Sequence, residues 1–445
     1  MRWPFCFLVL CVLALMPDVV LAADAAADSV AAEKPNTFTL DAQLYFRGEI
    51  RRGGMVKSDD EENTPKDYAS FINSRTRLNL GYERGVASMK ISVQHTGVWG
   101  QSNKGAVNLY EAWAMFKARN GLFAKIGRQA LSYDDERIIG TNDWTMAASS
   151  HDVLKVGYYS PNTEHRVEAF AGFNQNGINT AGGTFYKNGA YPYKNIFTLW
   201  YHYAPRRVPI GASLLFMNVG MQDGDSLVYT TQYQQLAGTY LSFMPKNLRA
   251  EASFYYQFGH NEQGMPIRAW MAAVRGEYDF NQQWTAYTGY DHLSGDKYFA
   301  VPPRGGIGLI RHDVVRGFNA VYGSHHKFYG AMDFFYLSAY VGGFSPGLQS
   351  GYWGVQWNPW NINIDLSYHL MATTAPITNH NRLLGHELEF ELDWNITKDM
   401  KLSLGYSFMR GTDTLKALKR ASSDGRLHWA WLSFTYSPQF IKVKW

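Results

Sequence analysis

Residues 38–51 read FTLDAQLYFRGEIR. Phe38, Leu40, Ala42, Leu44, Phe46 and Ile50 share one parity, while Thr39, Asp41, Gln43, Tyr45, Arg47, Glu49 and Arg51 share the other. Successive side chains of a strand point to opposite faces, so this stretch is a strand with one apolar and one polar face. It is long for a soluble strand. A tilted strand that crosses a bilayer and projects into the headgroup layer has that length.

The same alternation recurs along the chain. Ile72, Thr76, Leu78, Leu80 and Tyr82 alternate with Asn73, Arg75, Arg77, Asn79 and Glu83. Leu248 to Phe258, Ile362 to Leu370 and Glu387 to Trp394 repeat it. Short connections with turn chemistry fall at 83–85, 119–121, 161–163, 205–207, 245–247, 281–282, 358–359 and 397–399. Longer polar segments lie between them, at 52–69, 97–106, 133–150, 174–193, 219–227, 259–266, 295–349, 374–384 and 411–426. Eight short and nine long connections alternate without a break if 295–349 is one loop, which predicts eighteen strands. The expected fold is an all-β, transmembrane, antiparallel up-and-down β-barrel with short periplasmic turns and long outer loops. A loop as long as 295–349 is usually functional and is a candidate constriction or plug.

Composition agrees. The chain has 29 Tyr, 26 Phe and 14 Trp in 445 residues, and barrels place such rings in girdles at both membrane interfaces. Net charge is only +4, so bulk charge gives no argument for nucleic acid. Arg2, the apolar run Phe5–Met16 and Val20-Leu21-Ala22 have the layout of a secretory signal cleaved after residue 22 or 23. The alternative, a membrane anchor, needs a longer apolar run. The expected organisation is a signal peptide at 1–22, a periplasmic linker at 23–37 and the barrel at 38–445. Cys6 and Cys11 both lie in the signal, so the mature chain is expected to lack disulfides and cysteine metal sites. No cofactor is expected. The chain ends in Trp445 after an alternating strand at about 427–437, which resembles the assembly signal read by the barrel-assembly machinery. Pro438 shifts the alternation just before that end.

Residues 121–152 carry a more specific pattern: Gly127-Arg128-Gln129, Tyr133-Asp134-Asp135-Glu136-Arg137, Asp143-Trp144 and His151-Asp152. With Tyr290–Asp296, His326–Asp333 and Gly385-His386-Glu387, they resemble the alginate-export family of outer-membrane porins. The resemblance covers essentially the whole mature chain. It implies a conduit in the outer membrane of a Gram-negative bacterium, in contact with membrane lipid and passing a small solute or polysaccharide by passive diffusion. Where the family favours Arg and Phe before the last aspartate, this chain has Ser149, Ser150 and His151. One arginine of an anionic-polymer site is thus missing.

If apolar faces meet lipid, the polar parity defines the lumen. Its cations concentrate early, at Arg47, Arg51, Arg75, Arg77, Lys90 and Lys125, and an acidic ladder, Glu387, Glu389, Glu391 and Asp393, comes late. Barrel closure brings these sets within a few strands of each other. They are then either a transverse field along a substrate path or salt bridges that fill the lumen. Arg128, Asp134, Arg137, Asp143, Trp144 and Asp152 are either a gate or clamps that hold a long loop to the wall. A strongly anion-selective pore would show a basic excess, and this lumen is mixed. The chain carries no phosphate-binding glycine loop, metalloprotease helix or nucleophile elbow. Two other functions stay open at this level. One is an outer-membrane barrel enzyme such as a lipase, for which His202 and His292 stand on expected lipid faces. The other is a surface glycan-binding β-protein.

Overall fold

A computed structural model describes residues 35–52, 68–101, 105–187, 193–299, 313–336, 345–419, 421 and 426–445. The signal read at 1–22 and most of the linker read at 23–37 lie outside the described residues, as do most of loop 52–69 and parts of loop 295–349.

Thirteen strands come first: β1 Thr37–Arg52, β2 Ala69–Arg84, β3 Ala87–Val98, β4 Ala106–Lys117, β5 Leu122–Gln129, β6 His151–Tyr159, β7 His165–Phe173, β8 Asn195–Tyr203, β9 Ile210–Gly224, β10 Tyr229–Phe243, β11 Leu248–Gly259, β12 Ala269–Asp279 and β13 Trp284–Leu293. Then follow β14 Leu348–Trp357, β15 Ile362–Ala372, β16 Leu383–Asn395 and β17 Met400–Gly411. The last strand, β18, has two segments, Arg426–Tyr436 and Gln439–Lys444, both paired with β1. Each strand pairs antiparallel with its sequence neighbours, and β18 returns to β1. The result is a closed, eighteen-stranded, up-and-down barrel with no free edge.

The break in β18 is at Pro438, which has no N–H to donate to the ladder. Its carbonyl accepts from Ala42 N–H at 3.1 Å, and the register against β1 slips between Leu40 and Asp41. The phase shift in the sequence is therefore a bulge at the closing seam.

Side-chain parity sorts as the alternation predicts on most strands. Leu214 and Leu432 are 60% and 50% exposed on the outer wall, while Met217 and Trp429, of opposite parity, are 1% exposed inside. Rings gather near the short turns, where Trp284 stacks on Trp357 and Trp445 lies 6.2 Å from Tyr82. That is the girdle expected at a membrane interface.

Two expectations need correction. The connection read at 219–227 shrinks to 225–228, because β9 and β10 remain hydrogen-bonded up to Gly224↔Tyr229. The polar residues there extend the β9–β10 hairpin. His202 points into the lumen with Ile196, Thr198 and Trp200, and its Nδ1 is 2.8 Å from Ser213 Oγ. His292 has the expected outward parity and stacks on Trp270 at 4.5 Å.

Candidate functional site: a lumen divided by two inserted loops

Two outer connections fold back into the barrel. The first, 130–150, joins β5 to β6. The second joins β13 to β14, and its described residues are 294–299, 313–336 and 345–347. Inside the lumen their chains run side by side. Ile139 and Tyr322 form a parallel bridge. Tyr322 N–H donates to Ile138 O at 3.1 Å, Gly140 N–H to Tyr322 O at 3.0 Å, and Ser324 N–H to Glu136 O at 2.9 Å. Gly323 allows this approach, since a Cβ there would collide with the Arg137 carbonyl. The inserts bring apolar residues with them. Leu131, Ile138, Ile139, Phe318, Tyr329 and Phe335 are buried in one cluster with the wall residues Ile196, Met217, Leu236 and Met271. The barrel thus has a hydrophobic core inside its lumen.

Arg137 ties the inserts to the wall. It pairs with Asp291 of β13 at 2.7 Å and with Asp135 at 2.8 Å, with Phe328 of the second insert 3.9 Å over its guanidinium. Both Arg137 and Asp291 are buried. Asp134 meets another part of the wall, on β8 and β9, accepting from Ser213 Oγ at 2.5 Å and Trp200 Nε1 at 3.1 Å. Burial pushes the Asp134 carboxyl up to about 6, against the opposing pull of those two donors. Ser213 stands between His202 and Asp134 with its proton toward the carboxylate. That is not the order of a nucleophile activated by histidine.

Three of the cations read from the early strands, Arg47, Arg75 and Arg77, hold the first insert, and the others meet wall residues. Arg47 donates to Glu49 at 2.9 Å and to Trp144 O at 3.1 Å, and its guanidinium lies 4.3 Å over the Trp144 ring. Arg51 pairs with the same Glu49 at 2.9 Å. Arg75 and Arg77 share Asp143, each at 3.2 Å. Lys90 pairs with Glu111, and Lys125 lies 3.9 Å over Trp113. Arg128 and Asp152 pair at 2.7 Å across the base of the first insert, on the parity of the exposed Ile126. Gly127, beside them, has φ +119, and a Cβ would strike the Ala112 carbonyl. Gln129 is buried and donates to Val153 O at 3.2 Å.

The acidic ladder divides by height. Glu387 accepts Met332 N–H at 2.8 Å, and Glu389 accepts Ala331 N–H at 2.9 Å, so the upper rungs seat the second insert. Asp393, nearest the short turns, pairs with Lys401 at 2.8 Å. Glu391 makes no hydrogen bond or ion pair among the described residues and faces an open cavity. The structure therefore brings Arg47, Arg75, Arg77, Asp143 and Trp144 together, and separately Glu387, Glu389 and the second insert.

Several neighbours complete this group around Trp144, and the sequence reading gives none of them this place; His326 is read there only within the family-like stretch His326–Asp333. His326 stacks on Trp144 at 4.5 Å, and Trp429 and Trp431 close the same aromatic group at 6.0 and 5.0 Å. Trp429 Nε1 also donates to Glu49 at 3.0 Å. The parity opposite Ala430 and Leu432 was the available signal for both tryptophans.

The paired inserts separate two cavities. One, about 550 Å3, includes Asn108, Tyr110, Asn142, His151 and Tyr322 and lies toward the long connections. The other, about 580 Å3, includes Gln356, Asp365, Glu389 and Glu391 and lies toward the short turns.

The sequence profile described as Alginate export matches residues 55–427. No curated protein matches the chain. Among solved structures, Pseudomonas aeruginosa OpdL superposes with TM-score 0.61 at 9% identity, covering 91% of this chain and 99% of OpdL. A BenF-like porin from Pseudomonas fluorescens Pf-5 gives 0.60 at 12% identity, with 91% and 99% covered. Pseudomonas aeruginosa OccK2, solved in complex with glucuronate, gives 0.59 at 11% identity, with 91% and 98% covered. At such identities the likeness is one of fold. A profile spanning most of the chain and a closed barrel of porin type lead to one assignment: the chain belongs to the alginate export family and is an outer-membrane channel for small solutes.

Proposed function

We propose that solutes cross this barrel by passive diffusion past the paired inserts, without covalent chemistry, between the wall that carries Arg47, Arg75 and Arg77 and the wall that carries Glu389 and Glu391. The observation that supports this most directly is the parallel seam between the inserts at Ile139 and Tyr322, with a cavity on either side. A lumen divided in this way suits small molecules. Passage of a polysaccharide requires the seam to open, and family membership is the reason to test it. The chain is proposed to arrive by way of the signal at 1–22 and the barrel-assembly machinery, with Trp445 as the terminal recognition residue.

Single-channel recording of the purified barrel in planar bilayers, with solute uptake by proteoliposomes, tests the reading. Small steps of conductance and uptake of monosaccharide-sized solutes are expected. Hydrolysis of phospholipid by the detergent-solubilised barrel, with no conductance, would replace it with the enzyme reading.

A further inference from the structure

The cavity of about 550 Å3 on the side of the long connections gathers neutral polar groups from three parts of the molecule. Asn108 and Tyr110 come from β4, Asn142 and Ser149 from the first insert, and Tyr322 from the second. The amides of Asn108 and Asn142 and the hydroxyls of Tyr110, Ser149 and Tyr322 make no hydrogen bond among the described residues. They are not sealed away from the cavity. Asn108 is exposed, Asn142, Ser149 and Tyr322 are half-buried, and the Tyr110 hydroxyl keeps contact with open space.

The charges around this space are already matched. Arg128 is the one Lys, Arg, Asp or Glu among the described lining residues, and Asp152 accepts from its Nε at 2.9 Å and its Nη2 at 2.7 Å. Arg77, whose guanidinium lies 3.8 Å over the Tyr110 ring, is spent on Gln94 and Asp143. His151 meets the Tyr193 hydroxyl at 3.0 Å through Nδ1. Burial pushes the His325 ring below its ordinary value, so it stays neutral.

This combination decides the class of ligand. A charged solute would leave water here without a counter-charge, and an apolar one would strand the open amides and hydroxyls. A neutral polyol does neither. Each of its hydroxyls both donates and accepts, as do an amide side chain and a tyrosine or serine hydroxyl. The volume falls within the range of small-molecule sites, roughly 300–1,000 Å3.

The seam holds the groups in a set relation. Tyr322 is the residue that bridges Ile139, and Asn142 N–H donates to Ser324 Oγ at 3.1 Å. The polar groups of the two inserts therefore converge only while the seam is closed.

We propose that this cavity binds a small, uncharged saccharide, with the Asn108 and Asn142 amides and the Tyr110, Ser149 and Tyr322 hydroxyls taking its hydroxyl groups. The site rests on the channel reading and deepens it, by naming the class of permeant held in front of the seam.

Glucose, glucuronate and protonated glucosamine share a ring and differ in charge, so they isolate the preference for a neutral ligand. Each is titrated against the wild-type barrel, Asn108→Ala and Tyr322→Phe by calorimetry in detergent and by current block in planar bilayers. Heat-modifiable gel mobility checks folding, and Tyr322→Phe, which keeps the ring, serves if Asn108→Ala does not assemble. Glucose is expected to bind and block at concentrations about tenfold lower than either charged sugar. Both variants are expected to raise its blocking concentration severalfold. Equal or tighter binding of a charged sugar, or an unchanged glucose response in the folded variants, overturns the site. Conductance without glucose binding overturns the site and keeps the channel. Glucose binding by a barrel without conductance keeps the site and overturns the channel reading.

Discussion

Trp144 and His326 stack face to face inside the barrel, ring centroids 4.5 Å apart and planes 8° from parallel, each carried by a different inserted loop. The contact joins two segments that enter from opposite sides of the sequence. Arg47 of the wall lies 4.3 Å over the same Trp144 ring, so wall, first insert and second insert meet at one indole.

The first prediction concerns that indole. Trp144→Ala removes the stack and the surface beneath Arg47. Single-channel conductance is expected to rise severalfold while heat-modifiable mobility persists. A Trp144→Ala/His326→Ala cycle, read by denaturant unfolding, should give a coupling of about 0.5–1.5 kcal/mol. Additive singles with unchanged conductance would mean that the stack does not restrict the pore.

Arg137→Ala leaves Asp291 as a buried carboxylate without its partner at 2.7 Å. Removing one member of a buried pair costs about 3–5 kcal/mol. Because the strand ladder does not pass through Arg137, the loss should appear as proteolytic sensitivity of 130–150 and noisy current before the wall unfolds. Arg137→Ala/Asp291→Asn should recover much of it. A double variant as sensitive to protease as the single would count against this pairing as the anchor.

The Asp134 carboxyl is raised to about 6 by burial when the insert is seated. The seated state therefore holds a proton more tightly than the released one, and low pH favours it. This contribution is fully present below the ordinary carboxylate value and is lost as pH rises through about 6. Current through the wild type should be quieter at pH 5 than at pH 7.5, and Asp134→Asn should abolish the difference. Greater noise at pH 5 than at pH 7.5 would reverse the assignment.

Arg75 and Arg77 are buried and share Asp143. Arg75→Ala/Arg77→Ala should release that carboxylate and shift the reversal potential in a salt gradient toward cation preference. An unchanged reversal potential would show that ions do not sample this wall.

The wall was legible in the sequence because its code has a period of two. The long run from Phe38 to Arg51, the turn residues and the strict alternation of short and long connections were enough to count the strands. Parity failed on β8 for a physical reason. Ile196, Thr198 and Trp200 face inward against the inserts, so this strand is apolar on both faces and His202 was assigned to the wrong one. Met217, Leu236 and Met271 belong to the same cluster. The contacts of the inserts had no period to read. Arg137 with Asp291, or Trp144 with His326, are set by the path of two irregular segments, and only the strand residues Asp291, Trp429 and Trp431 have a parity that places them. The early cations and late carboxylates were visible as sets. Which of them are consumed in seating loops, and that Glu391 is left open, depends on the path of the inserts and is not encoded in any local pattern.

The core inside the lumen separates two jobs that most proteins give to the same residues. Hydrogen bonds of the wall close around β1 and β18 without using the inserts, while the inserts rest on that wall through side chains and a short seam. Substitutions in 130–150 or 313–336 can therefore remodel the passage while the wall stays fixed, much as a filter cartridge is exchanged in an unchanged housing. Relatives of this chain can then diverge in cargo by editing two segments, and an engineer can transplant those segments as a pair.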